Sequence, residues 1–249
     1  MPPLAMHTVI AKEVADKLRE RRLEDGRGAL YLGSTAPDIR IITRWDRKLT
    51  HFFDINDFGE QDGVQAFLAA HPEFAEPSQL QPMTLAFIAG YLTHLAMDET
   101  WINYVYRPYF GERSPLRGSL RANVMDRALQ FALDRRERED RELVADIVSA
   151  MMKAEMGIEI GFIDSETLKR WREVVLQVVN DPPNWERFNR VALRHVKTEA
   201  GAENMDELLD DLPGLVEETI NYLSQERIKA FLEESAKRSL ETVREYLCA

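Results

Sequence analysis

The chain has 249 residues, a formal net charge of −11 and 45% apolar residues. That is long enough for a sizeable core and ordinary for a globular protein. The acidic balance disfavours a general binder of nucleic acid or anionic membrane. The lone Cys248 rules out an intramolecular disulfide and a two-cysteine zinc site.

Helical periodicity dominates, and no stretch alternates with a period of two for long. A first helix is expected from about 8 to 23, with Thr8 as N-cap and with Gly26 and Gly28 ending it. A short segment, 29–34, leads into the turn Ala36-Pro-Asp38. Residues 40–58 read as irregular, and a helix follows over about 62–70. A proline-bearing loop, 71–81, precedes a buried helix from about 83 to 106 that stops near Pro108. Further helices are expected from Pro115 to about 136, then over 142–156, 165–179 and 185–199. A long final helix is expected over 215–246, with room for one interruption. The expected architecture is all-α, a multi-helix bundle in a single domain over 1–249. Its metal-site half spans about 1–138 and its helical C-terminal extension about 139–249.

The chemistry concentrates in the buried helix. From Met83 to Met97 no residue is fully charged at neutral pH, and within and just beyond this run stand His94 and Asp98. A helix apolar nearly all round belongs inside a protein. A buried carboxylate there needs a partner or a metal. Residues four apart share a face, so the imidazole and the carboxylate can address one divalent cation such as zinc. The alternative is an ion pair from Asp98 to an arginine such as Arg40, Arg44 or Arg107. Gly90, one turn earlier on the same face, points to close approach by another segment, because a mid-helix glycine costs about 1 kcal/mol relative to alanine. His7, Asp38, His51 and Asp54 supply further ligands of matching hardness. His71 and His195 read as structural. The run Leu80 to Met97 includes Gln81, Pro82, Thr84, Thr93 and His94, which argues against a membrane span.

Tyr31-Leu-Gly-Ser-Thr-Ala-Pro-Asp38, then Thr50-His-Phe52, then Gly90-Tyr-Leu-Thr-His-Leu-Ala-Met-Asp98 resembles the zinc-dependent phospholipase C family over roughly the first 110 residues. The resemblance implies an all-α fold that cleaves phosphodiester bonds with clustered metals. It implies that Asp38, His51, His94 and Asp98 hold one zinc, and that His7 serves a neighbouring metal bridged by Asp98. The chain departs from that pattern. Met1 stands where secreted members present tryptophan. No histidine lies between His94 and His195, and Trp101-Ile-Asn-Tyr stands where one is expected. Asp126 or Asp134 is a candidate substitute. One zinc or two, or another divalent metal, is therefore expected rather than three.

The function implied is a metal-dependent hydrolase of phosphate esters, phosphodiesterase- or phospholipase C-like, with a metal-activated water as nucleophile. Asp54 is the candidate to orient a histidine or act as base. The partner is a phosphate-ester small molecule or a phospholipid headgroup. No nucleic acid and no stable membrane insertion are expected, and a homo-oligomer stays open. No signal-peptide pattern is visible, so a cytoplasmic location is expected. The alternative is a non-catalytic, metal-stabilised helical interaction protein.

Overall fold

A computed structural model describes residues 2–152, 154, 157–181 and 211–249. Among the described residues there are helices and turns and no strand, so the fold is all-α. The elements are α1 (Leu4–Leu18), α2 (Arg21–Asp25), α3 (Arg27–Gly33), α4 (Arg40–Thr43), α5 (Lys48–His51) and α6 (Gly63–Ala70). They continue with α7 (Pro82–Trp101), α8 (Leu120–Glu137), α9 (Arg141–Met152), α10 (Ser165–Asn180), α11 (Leu212–Leu223) and α12 (Gln225–Cys248). The expected helix over 185–199 lies outside the described residues.

The axis of the molecule is α7. Pro82 opens it at the first helical position, where a missing N–H is harmless. Every residue from Thr84 to Asp98 is buried. Helices α1, α3, α6 and α12 pack around it. The closest approach is to α3. A Cβ on Gly90 would lie 2.0 Å from the Leu30 carbonyl oxygen, and one on Gly33 would lie 1.9 Å from the Phe87 carbonyl oxygen. Two glycines facing each other's backbones let the helix axes come nearer than any side chain allows.

Several boundaries differ from the expectation, each for a local reason. Helix α1 starts at Leu4, not Thr8, because Asp134 of α8 accepts a hydrogen bond from the Ala5 N–H at 3.2 Å. That contact satisfies one of the orphan donors of the first turn. Thr8 sits inside the helix, its hydroxyl donating to the Ala5 carbonyl. Arg19, in the left-handed region, ends the helix, and Glu20 caps α2 through the Leu23 N–H. Gly26 closes the short α2, its N–H on the Arg22 carbonyl, and does not end α1. Gly28 lies within α3, where a Cβ would meet the Ala150 carbonyl oxygen of α9 at 2.4 Å.

Beyond α7 the chain does not stop at Pro108 but widens into a π-helical segment, Ile102–Phe110, that takes the proline in. The Gly111 N–H closes it on the Tyr106 carbonyl at 2.7 Å. Helix α8 begins at Leu120 rather than Pro115, because Arg117 and Gly118 both have positive φ and Ser119 supplies the cap. The expected break in the last helix falls at Ser224, which has φ 74°. No helix among the described residues is long and apolar enough to cross a membrane.

Candidate metal centre

Five of the six predicted site residues converge. His7 comes from the first turns of α1, and Asp38 from the 3₁₀ turn Ala36–Ile39. His51 is the last residue of α5, and His94 and Asp98 lie one turn apart on α7. His7, His51, His94 and Asp98 are buried; Asp38 is the open edge, with 14% of its side chain exposed. His94 Nε2 lies 3.4 Å from His51 Nε2 and 3.8 Å from Asp98 Oδ2. His51 Nε2 lies 3.4 Å from Asp98 Oδ2 and 3.6 Å from Asp38 Oδ1. His7 Nε2 lies 3.7 Å from Asp98 Oδ1, and its ring stacks on His94 with centroids 3.7 Å apart.

The hydrogen bonds assign the protons. His94 Nδ1 faces the Ser34 carbonyl oxygen at 2.8 Å. A carbonyl only accepts, so Nδ1 carries a hydrogen, and in the neutral ring Nε2 carries a lone pair. His51 Nδ1 lies 2.8 Å from the Thr50 hydroxyl, which itself donates to the Arg47 carbonyl. Where the His51 ring donates its Nδ1–H to that hydroxyl, its Nε2 is a lone pair too. Two lone pairs 3.4 Å apart repel unless a cation or a proton lies between them.

The spacing fits a metal. Two ligand atoms about 2.1 Å from a tetrahedral zinc stand about 3.4 Å from each other. Two overlapping sets, His7–His94–Asp98 and Asp38–His51–His94, bring their ligand atoms within 4.8 Å. Both nitrogens of His7 and Oδ1 of Asp98 are buried with no hydrogen-bond partner. Orphaned polar atoms in a core are expensive, and a shared cation would satisfy them together.

The electrostatics prepare the same donor set. Burial, with the neighbouring His94 in support, pushes the His7 imidazole down to about 3. Burial pushes the His51 imidazole down to about 4. Both are neutral at physiological pH. For Asp98, burial pulls upward, but His94, His51 and Arg47 outweigh it and hold the carboxyl below the usual carboxylate range. Asp38 follows the same balance, with His51 its main partner. Unprotonated imidazoles and ionised carboxylates are the forms that bind metal.

One residue the sequence reading did not single out sits in the centre. Arg47 Nη2 pairs with Asp98 Oδ2 at 2.9 Å, and its Nη1 donates to the Phe53 carbonyl at 2.7 Å. None of the expected partners, Arg40, Arg44 or Arg107, takes that place. Arg107 instead clasps the carbonyls of Asp54, Ile55 and Asp57 and lies over Phe53 and Phe58. Arg47 neutralises one oxygen of Asp98 and leaves Oδ1 free of hydrogen bonds. Burial lowers the Arg47 pKa, and repulsion from Arg40 adds to it, so Arg40 stands close by. The Arg40 Nε is buried without a partner.

Asp54 is placed apart from the five. Its carboxylate pairs with Lys48 at 2.7 Å and accepts the Asn56 N–H. Orientation of the histidines falls to Ser34 and Thr50. Both stand in the motif segments, but backbone and hydroxyl acceptors carry no signature of their own. Asp126 and Asp134 have other work as well. Asp126 accepts from Trp101 Nε1 and Gln130, and Asp134 pairs with Arg138 while capping α1. The later helices also steady the site, since Trp171 Nε1 of α10 donates to the Thr35 hydroxyl beside the Asp38 turn.

Residues 6–115 match the family model described as zinc dependent phospholipase C. That span contains all five clustered residues and ends before α8. No curated protein and no solved structure matches the chain.

Proposed function

From a cluster that lies wholly within the zinc dependent phospholipase C match, we propose that this protein is a metal-dependent hydrolase of phosphate esters. Its metal would be held by His7, Asp38, His51, His94 and Asp98, as one ion or two. The observation that carries the reading is the buried convergence of His94 Nε2 and His51 Nε2, 3.4 Å apart, with the carboxylates of Asp98 and Asp38 beside them.

A bound divalent metal supplies Lewis acidity and lowers the pKa of a water ligand towards 7. The protein does the rest. The Ser34 carbonyl holds the His94 ring with its Nδ1–H turned away from the cluster, and the Thr50 hydroxyl holds His51 at Nδ1, so each ring turns Nε2 inward. Arg47 holds Asp98 ionised and still leaves Oδ1 as a donor. The apolar shell of α7 keeps bulk water from the buried side, so charge interactions inside act in a low dielectric. Asp38 marks the open side. Arg40, two residues on and with its Nε buried and unpartnered, would offer a guanidinium to a phosphate oxygen. Asp54, tied to Lys48, would act on the rim rather than on a ligand histidine.

Metal analysis of protein purified without chelator, followed by a panel of phosphodiesters and phosphomonoesters, tests the reading. About one equivalent or more of tightly held metal and turnover abolished by chelation are expected. Less than about half an equivalent would overturn it. Full metal occupancy with no turnover on any ester would favour the non-catalytic helical interaction protein instead.

A further inference from the structure

Residues 40–49 link two of the clustered ligands, Asp38 and His51. They carry Arg40, Arg44, Arg47 and Lys48 against one acid, Asp46, in a chain whose net charge is −11. This is a local reversal of the molecule's field. Arg47 is committed to Asp98 and Lys48 to Asp54. Arg44 is exposed, in the left-handed region at the end of α4. The same ten residues hold Ile41, 52% exposed, and Leu49, 66% exposed. Only three other large apolar side chains among the described residues are as open as a third, and they are dispersed at 104, 152 and 222.

Scattered exposed apolar residues are ordinary. Two bulky aliphatic side chains on short helices beside unneutralised arginine are a different pattern. Within α5, His51 points into the core while Leu49, two residues earlier, points to solvent. The inward and outward faces of one helical turn thus divide between chemistry and surface. We propose that residues 40–49 dock the protein on an anionic phospholipid surface. Ile41 and Leu49 enter the headgroup–acyl boundary, and Arg44 lies among the phosphates. Aliphatic residues flanked by cations suit that interface, and the local positive charge explains how an acidic protein approaches it. Because residues 40–49 join Asp38 to His51 along the chain, docking there would bring the cluster up to the bilayer. The proposal rests on the phosphate-ester reading and narrows its substrate to an ester presented by lipid.

Co-sedimentation with vesicles of phosphatidylcholine, alone or mixed with phosphatidylglycerol, tests it apart from turnover. The full chain should bind the mixed vesicles more tightly than the neutral ones. Ile41→Ser/Leu49→Ser should weaken that binding about tenfold or more. Arg44→Glu should weaken it about fivefold or more, with the difference fading in high salt. Both variants should keep the parent melting temperature and the parent turnover of a soluble chromogenic ester. Failure of the parent chain to sediment with mixed vesicles, or equal binding by the double variant, overturns the proposal. A dimer that the double variant disperses, without vesicle binding, assigns the patch to a second copy and also overturns it. Vesicle binding that obeys these rules in a protein with no metal and no turnover would sink the catalytic reading alone.

Discussion

Gly90→Ala is the sharpest probe of how the fold builds its candidate metal centre. On an exposed helix it would stabilise by about 1 kcal/mol. Here the added Cβ would lie 2.0 Å from the Leu30 carbonyl oxygen and 2.8 Å from the Ser34 nitrogen, both backbone atoms that cannot rotate away. Restoring an ordinary contact of about 3.4 Å requires α3 and α7 to part by about 1.4 Å. The Ser34 carbonyl moves with α3, so its 2.8 Å hydrogen bond to His94 Nδ1 would break. Overpacking costs about 1–3 kcal/mol or more, and the lost buried hydrogen bond about 1–2. Against the propensity gain, the net loss is about 1–4 kcal/mol, or a fall of about 2–16 °C in melting temperature for a chain this long. Freed of its orienting partner, His94 should bind metal about 10–100-fold more weakly. Thermal melts with and without chelator, and metal titration by calorimetry, read both effects. Gly161→Ala, where nothing lies within 4 Å of the new Cβ, is the control and should be neutral or slightly stabilising. If Gly90→Ala keeps parental stability and metal affinity, the close approach of α3 to α7 does not position the site.

Four further outcomes follow from the same geometry. Asp98→Asn should empty the site and remove chelator-sensitive turnover. It also removes the Asp98 charge from its buried pair with Arg47, so the metal-free variant should lose about 3–5 kcal/mol in denaturant melts. His94 belongs to both candidate ligand sets and His7 to one, so His94→Ala should lower metal uptake by elemental analysis more than His7→Ala does. The metal-free protein should lose stability as pH falls from about 6.5 toward 4, measured by denaturation in chelator. The buried His7 and His51 resist protons down to about 3 and about 4 while the unfolded chain takes them up at 6.5, so the unfolded state binds more protons across that window. A flat profile there would contradict neutral buried imidazoles. Asp54→Asn should leave metal content unchanged in elemental analysis, since its carboxylate serves Lys48 and the Asn56 N–H.

Much of this protein is legible in its sequence because the signals are local. The uncharged run from Met83 to Met97 can only be a buried helix, and Gly90 within it announces a close neighbour. The four-residue spacing places His94 and Asp98 on one face whatever surrounds them. The order of short motifs ahead of that helix points to the other residues that cluster with them. Tertiary structure decided what spacing cannot carry. Helix α1 starts four residues earlier than its own sequence suggests, because its cap is a carboxylate 129 positions away. Arg47, not Arg40, Arg44 or Arg107, faces Asp98, because short helices around a left-handed Arg44 turn it inward. Asp126 and Asp134 resemble spare ligands on paper and prove to be partners of Trp101 and Arg138. Periodicity and polarity are properties of neighbours along the chain. The direction of a carboxylate or a guanidinium is set by whichever distant group meets it once helices pack.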